Sequence, residues 1–188
     1  MKKLLIFSAL LLIAYSSNAQ GTFTKKHGIR GMGTLTPGVF TSNASTSLYF
    51  SGNWDYYFNE HISMTGEGHV FLSNLTGNSY ITRYHSVLWG MNYHFLENSQ
   101  LDPFIGMQPG LGFVDGVRIF GNTPNAFETV PLITFSAGTN FYVGSIFHFF
   151  VNVRYLQGQS LSATDYKRSL SEFRFMGGLG WNLGVKNK

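Results

Sequence analysis

The sequence predicts an all-β fold in which eight antiparallel strands run up and down around a closed barrel. Three observations lead to this prediction. Of the 188 residues, 12 % are charged and 16 % are aromatic, whereas soluble globular domains carry about 25 % charged residues. Apolar and polar residues alternate with a period of two over most of the chain. The gaps between the alternating stretches are by turns short and long, which is typical of a transmembrane barrel.

A cleavable signal peptide is expected to precede the barrel. Two lysines stand before the twelve-residue apolar stretch Leu4–Tyr15, and Ser17-Asn18-Ala19 supplies the small residues that signal peptidase recognises. A membrane-spanning helix would need about 20 apolar residues, so cleavage after Ala19 is favoured over an anchor. We therefore predict a signal peptide at 1–19 and an outer-membrane β-barrel domain at 20–188.

The first four predicted strands each set an apolar face against a polar face. Residues 27–36 form a weaker opening strand, and Arg30 belongs to its polar set. In the second strand, residues 47–58, the apolar set recurs at every other position: Leu48, Phe50, Gly52, Trp54, Tyr56 and Phe58. Residues 62–72 repeat this pattern after a tight turn at 59–61, and residues 83–95 follow with large side chains at alternate positions.

The last four predicted strands continue the alternation at 103–113, 131–142, 146–156 and 171–183. The first of these contains Pro109, which lacks the N–H that a strand ladder uses. A bulge is expected there, which would shift the register of residues 110–113. The final strand closes the barrel and carries Phe173, Phe175, Leu179, Trp181 and Leu183 on its apolar face.

The connections predict the orientation of the barrel. The gaps after the second, fourth and sixth strands are short, at 59–61, 96–101 and 143–145. The gaps after the other strands are long and rich in Gly, Ser, Thr, Asn and Pro, at 37–45, 73–81, 114–129 and 157–169. Outer-membrane barrels have short periplasmic turns and longer extracellular loops. We therefore expect a location in the bacterial outer membrane, with both termini in the periplasm.

Three segments combine strand and turn residues in a recurring way: Tyr56-Tyr57-Phe58-Asn59-Glu60-His61-Ile62-Ser63 with Glu67, Pro103-Phe104-Ile105-Gly106 to Gly110-Leu111-Gly112, and Phe147-His148-Phe149-Phe150-Val151-Asn152-Val153-Arg154-Tyr155. They resemble the repeated elements of small bacterial outer-membrane β-barrel-domain proteins, similar to the eight-stranded OmpA/OmpX-type barrels. The Ala19-Gln20 junction resembles signal sequences from Bacteroidetes. The resemblance implies the fold rather than a function, because the shared residues build strands and turns. Barrels of this kind often end on an aromatic residue that serves as an assembly signal. This chain departs from that pattern, because Gly184 to Lys188 follow the last aromatic strand.

A water-soluble barrel of the lipocalin type is the rival fold. Such a barrel would carry Lys and Glu on its outer face, whereas here the aromatic set lacks charges. Membrane placement implies outer-membrane lipid, lipopolysaccharide and the barrel-insertion machinery as partners. No nucleic-acid partner is expected, because the net charge of +4 falls to +2 without Lys2 and Lys3.

Two sets of residues are the candidate sites. The polar set of the strands carries six charges that would meet in the lumen as an ion-pair network: Arg30, Asp55, Glu67, Arg154, Glu172 and Arg174. An eight-stranded barrel is just wide enough for side chains to fill, so this network is expected to act as a plug. The outward aromatic residues near the short turns would form a girdle at the membrane interface: Tyr56, Phe58, Tyr93, Phe95, Phe141, Phe147 and Trp181.

Catalysis, metal binding and cofactor binding are not expected. The one candidate for a serine activated by a neighbouring base is His61-Ile62-Ser63, at a short turn with Ser63 pointing inward and no outward carboxylate beside it. Three inward histidines, His69, His94 and His148, lie on separate strands without metal-ligand spacing. The glycine-rich strings precede no helix, so they are not phosphate loops.

Two function classes remain open from the sequence. The first is a non-enzymatic barrel with a structural or surface-interaction role, carried by its extracellular loops. The longest of these, Val114 to Thr129, contains the apolar residues Val117, Ile119, Phe120 and Phe127. The second is a narrow channel, or a barrel that binds or passes a small ligand. The composition of the loops does not identify a surface partner.

Overall fold

The computed structural model describes residues 23–76, 81, 83–115, 127–159 and 169–187. These residues form ten strands: β1 (Phe23–Thr24), β2 (Ile29–Phe40), β3 (Thr46–Tyr57), β4 (Ile62–Asn74), β5 (Arg83–His94), β6 (Leu101–Asp115), β7 (Phe127–Val143), β8 (Phe147–Gly158), β9 (Glu172–Leu183) and β10 (Lys186–Asn187). Within the described ranges, no helix has the length and apolar character needed to cross a membrane.

Strands β2 to β9 form a closed barrel in which each strand pairs with its neighbours in sequence. All these pairings are antiparallel, and β9 closes the barrel against β2. Closure pairs strands that would otherwise be edges, so the backbone N–H and C=O groups find partners within the barrel. The predicted eight-stranded antiparallel barrel is confirmed. A second sheet of two strands, β1 and β10, pairs the chain segments that flank the barrel and was not predicted.

The barrel is polar inside and apolar outside. Alternate residues of each strand are buried in the lumen, and their neighbours lie on the outer wall. The outer wall exposes large apolar side chains, with 62 % of Trp89 and 65 % of Val151 accessible. Arginine, aspartate, glutamate, asparagine and serine side chains fill the buried set. This distribution is the reverse of that in a water-soluble protein.

Apolar clusters cover the polar lumen at both ends. At the end with the long connections lie Phe40, Tyr49, Ile81, Tyr84, Leu88, Val114, Val130, Leu132, Leu156 and Leu170. At the short-turn end, Phe23 from β1 packs with Tyr142 and Val185. The charged interior therefore lies between two apolar layers, which limit its contact with water.

The structure corrects the expected bulge at Pro109. The β6–β7 register runs without a shift from Leu101 to Asp115. The β5–β6 register keeps the same offset on both sides of the proline, although residues 108 and 109 form no ladder pair with β5. The missing N–H therefore falls where the ladder is interrupted. A register shift does lie between β3 and β4, at Leu48/Tyr49.

The first long connection was also predicted wrongly. β2 continues through Pro37 and Gly38 to Phe40, so the connection to β3 is the segment 41–45 rather than 37–45. Pro37 pairs with Leu48 of β3. Between the Met32–Gly180 and Gly38–Arg174 pairs, β2 forms no ladder pair with β9. As at Pro109, the proline lies beside an interruption of the ladder, and the strand continues through it.

Four predicted segments fall wholly or partly outside the described ranges. The signal peptide at 1–19 is one of them. In the long loop at 114–129, β6 extends to Asp115 and β7 begins at Phe127, so the remaining residues 116–126, with Val117, Ile119 and Phe120, lie outside the described ranges. Residues 77–80 of the connection at 73–81 and residues 160–168 of the connection at 157–169 lie outside them as well.

Candidate functional site: the charged interior

The interior of the barrel contains two clusters of charged side chains. The mid-barrel cluster consists of Glu67, His69, Arg154, Glu172 and Arg174, and the mouth cluster consists of Lys25, Arg30, Asp55, His94 and Asp102. Each of these ten side chains is buried. A buried charge is tolerated when it is paired and hydrogen-bonded, so the pairing of each group decides what the site can do.

The mid-barrel cluster joins opposite walls of the barrel. Arg154 on β8 forms an ion pair with Glu67 on β4. His69 Nε2 lies 3.3 Å from the second oxygen of the same carboxylate. The Nε of Arg154 also donates to the sulfur of Met176 over 3.2 Å. Because β4 and β8 are not neighbouring strands, this ion pair crosses the lumen.

Arg174 forms the other half of the mid-barrel cluster. Its Nε donates to Glu172 Oε2 over 2.9 Å, and its Nη1 donates to Ser86 Oγ over 2.8 Å. The guanidinium lies 4.0 Å from the ring centroid of Tyr49 and 5.2 Å from that of Tyr84. Aromatic faces attract a cation at such distances. The charged cluster thus continues directly into the apolar layer below the long connections.

The mouth cluster lies near the short turns and is built around two carboxylates. Arg30 donates from Nε and Nη2 to Asp55 Oδ2 over 3.0 and 2.6 Å. Asp102 accepts two hydrogen bonds, one from Lys25 Nζ to Oδ1 over 2.8 Å and one from the hydroxyl of Tyr57 to Oδ2 over 2.9 Å. Arg30 reaches Asp102 more distantly, with 3.5 Å between Nη1 and Oδ2.

The structure buries all six predicted lumen charges and pairs them as Arg30–Asp55, Arg154–Glu67 and Arg174–Glu172. Sequence reasoning missed Asp102 and Lys25. Asp102 directly precedes the predicted strand 103–113, and the period of two, extended back from Gln108, would have turned it inward. Lys25 had no such signal, because it lies before the first barrel strand.

Ser63, His94 and Asp102 form a hydrogen-bonded chain in the mouth. Ser63 Oγ lies 2.9 Å from His94 Nε2, and His94 Nδ1 lies 2.9 Å from Asp102 Oδ1. The order of the groups is that of a serine hydrolase triad. All three side chains are buried, however, and Asp102 also binds Lys25 and Tyr57. A substrate would have to displace the side chains that fill the lumen to reach Ser63.

His61 and Ser63, the candidate pair that the sequence offered and for which no catalysis was expected, do not contact each other. The ring of His61 turns to the rim, where its Nε2 lies 2.7 Å from Glu97. Its Nδ1 lies 2.8 Å from the carbonyl oxygen of His94. His61 thus has a carboxylate partner, Glu97, in the turn between β5 and β6. The two residues are separated because His61 lies in the turn before β4, whereas Ser63 lies within that strand and points into the lumen.

His69, His94 and His148 all point into the lumen, on β4, β5 and β8. Their contacts differ: His69 lies beside Glu67 and Ser51, whereas His94 belongs to the chain with Asp102. In the described part of the chain, no group of three or more His, Asp or Glu residues has the geometry to hold a metal ion.

The seven girdle residues all lie on the outer wall at the short-turn end: Tyr56, Phe58, Tyr93, Phe95, Phe141, Phe147 and Trp181. Edge-to-face contacts join Tyr56 to Phe58 and Tyr93 to Phe95, each with 5.4 Å between ring centroids. Trp181 is the ladder partner of Phe147. The rings thus form a band around this rim.

The closed barrel, with its polar interior and apolar outer wall, is of the kind found in outer-membrane proteins. Solved structures share this fold at low sequence identity. Neisserial surface protein A aligns with a TM-score of 0.62 and 13 % identity, over 85 % of this chain and 96 % of its own. The N-terminal barrel domain of Pseudomonas aeruginosa OprF aligns with a TM-score of 0.59 and 11 % identity, over 87 % of this chain and 100 % of its own. Yersinia pestis Ail, the attachment invasion locus protein, aligns with a TM-score of 0.51 and 16 % identity, over 87 % of this chain and 99 % of its own.

The comparisons by sequence give no match. Neither a scan against models of protein families nor a search of curated proteins found one. The structural likeness therefore concerns the fold, and the function has to be argued from the chain's own residues.

Proposed function

We propose that the protein is a non-enzymatic barrel of the bacterial outer membrane, closed to ions, whose structural or surface-interaction role is carried by its extracellular loops. The observation that carries this proposal is the paired interior. Among the described residues, every buried Asp, Glu, Lys and Arg side chain forms an ion pair inside the barrel. With the lumen filled, the loops are the parts left to meet partners.

The outer wall supports placement in a membrane. Its exposed apolar side chains extend around all eight strands, including Leu35, Phe50, Val87, Ile105, Phe135, Val151 and Phe175. Contact with hydrocarbon would remove this surface from water, at a gain of about 25 cal/mol per Å² of apolar area. Outer-membrane lipid and lipopolysaccharide are the partners that we propose for this wall, and the barrel-insertion machinery is the partner that we propose during assembly.

Conductance measurements in planar lipid bilayers would test whether the barrel is closed. We expect no steady current from the purified protein. The double variant Glu67→Gly/Arg154→Gly serves as the control, because it removes both partners of the ion pair that crosses the lumen without leaving a charge behind. Current from the variant alone would support the proposal. Stable, ion-selective steps from the unchanged protein would replace it with the narrow-channel function.

Single cysteines would test the orientation, since the sequence contains no cysteine. Ser42 lies in the connection after β2, and Ser145 lies in the turn between β7 and β8 at the other end of the barrel. Both are exposed. We expect a membrane-impermeant maleimide to label the Ser42→Cys protein on intact cells and to spare the Ser145→Cys protein. The opposite labelling would place the termini outside the cell.

A further inference from the structure

The segment before β2 folds across the mouth of the barrel. We call residues 23–28 the N-terminal arm. Its strand β1 pairs with β10, and the ring of Phe23 stacks on Tyr142 with 5.5 Å between centroids. The chain then reverses at His27, which has a positive φ of 62°. The arm therefore lies against the lumen before the chain enters the first barrel strand.

The barrel strands by themselves bury an excess of negative charge. In the described residues, β2 to β9 bury four carboxylates, Asp55, Glu67, Asp102 and Glu172, and three guanidinium groups, Arg30, Arg154 and Arg174. The fourth cation comes from Lys25 on the arm, whose side chain is fully buried. The arm thus supplies the charge that the strands lack.

Asp102 is the carboxylate that Lys25 neutralises. Arg30 is committed to Asp55, with contacts of 2.6 and 3.0 Å, and remains 3.5 Å from Asp102. Lys25 Nζ lies 2.8 Å from Asp102 Oδ1. Without Lys25, Asp102 would retain the 3.5 Å contact with Arg30, a guanidinium that it shares with Asp55. Weakening the pairing of a buried carboxylate is destabilising, so a cation is the favoured occupant of the Lys25 position.

The acceptors around Nζ suit a primary ammonium group. Lys25 Nζ donates to Asp102 Oδ1 and to the carbonyl oxygen of Leu96, each over 2.8 Å. The ring centroid of Tyr57 lies 5.9 Å from the same nitrogen. Two acceptors at hydrogen-bond distance demand a cation that carries N–H groups. A quaternary ammonium has the charge but no N–H to donate.

The arm is also held from outside the mouth, by contacts that do not involve the Lys25 side chain. The carboxylate of Glu60 accepts the backbone N–H groups of Lys25 and Lys26, with Oε1 at 3.0 Å from each nitrogen. The N–H of His27 donates to the carbonyl of Tyr57 over 2.8 Å. Shortening the Lys25 side chain would therefore leave the arm in place and vacate the ammonium position.

We propose that Asp102 and the Leu96 carbonyl form a binding site for a primary ammonium group, which Lys25 fills as a tethered ligand and thereby closes the short-turn mouth. The site recognises both the positive charge and the N–H donors. A free primary amine of the right length would take the position of the Lys25 side chain once that side chain is removed.

Chemical rescue tests this site. The Lys25→Ala change removes three carbons and the nitrogen, which together correspond to n-propylammonium. We expect the variant, refolded in detergent, to unfold at a temperature roughly 5–10 °C lower than the unchanged protein. Added n-propylammonium should raise the unfolding temperature of the variant with a saturable dependence and leave the unchanged protein unaffected. Tetramethylammonium at equal ionic strength should have no effect.

Two further variants complete the test. Lys26→Ala removes the same charge from the exposed neighbouring residue, and it should leave the unfolding temperature unchanged. Lys25→Ala/Asp102→Asn removes the carboxylate, and it should lose the response to n-propylammonium. If Lys25→Ala does not refold alone, its refolding yield with each amine gives the same comparison. Equal effects of Lys25→Ala and Lys26→Ala, or equal rescue by both amines, would overturn the proposal.

Discussion

The ion pair between Arg154 and Glu67 offers the most direct test of the filled lumen. Replacing Arg154 with Met keeps most of the side-chain volume and removes the charge. The change leaves Glu67 buried without its guanidinium partner. We expect a large loss of stability and no loss of the barrel fold, because the strand ladders on both sides of Arg154 do not depend on the side chain.

The structure sets the expected magnitude. Breaking a buried ion pair by removing one partner costs about 3–5 kcal/mol. Two features place the value at the lower end of this range. His69 remains 3.3 Å from Glu67 and still contacts its carboxylate. Arg174 is the ladder partner of Arg154, so the substitution also removes a repulsion between like charges. We therefore expect a loss of about 3 kcal/mol in the free energy of unfolding.

A double-mutant cycle measures this loss. The unfolding of the protein, Arg154→Met, Glu67→Gln and the double variant would be followed in urea by tryptophan fluorescence, in the same detergent. The double variant should be more stable than Arg154→Met, because it no longer buries an unpaired carboxylate. Equal stability of these two variants, or an Arg154→Met protein as stable as the unchanged one, would refute the argument that the pair neutralises buried charge.

Two further predictions concern the outer wall and the mouth. A Cβ added at Gly66 would lie 2.6 Å from Nε1 of Trp54, whereas one added at Gly68 would meet no atom within 4 Å. Gly66→Ala should therefore lower the free energy of unfolding by about 1–3 kcal/mol and shift the tryptophan emission. Gly68→Ala is its control, and equal effects of the two changes would contradict the packing argument. Ser63 should not react with a fluorophosphonate probe in the folded protein, because its hydroxyl is buried. Labelling that Ser63→Ala abolishes would instead reveal a reactive serine.

The sequence determined the strands and their faces, because alternation is a local property of the chain. Residues 47–58 show this in their own order, and β3 spans Thr46–Tyr57 with the predicted face buried. The same argument turned Arg30, Asp55 and Glu67 inward without any knowledge of their partners. Prolines were the positions where the local pattern predicted the strands less well. A strand continues through a proline when the missing N–H falls where the ladder to one neighbour is interrupted, and the neighbouring strand decides this.

Only the tertiary structure decided which charges meet. Lys25 and Asp102 are 77 positions apart, and Glu67 lies across the lumen from Arg154. Neither contact follows from the pairing of neighbouring strands, because closure brings opposite walls together and the stagger of the strands sets the height of each side chain. Lys25 lies outside the barrel strands altogether, so its role became visible only when the arm was seen to fold across the mouth. Local alternation thus determined which side chains face inward, and barrel closure determined which of them form pairs.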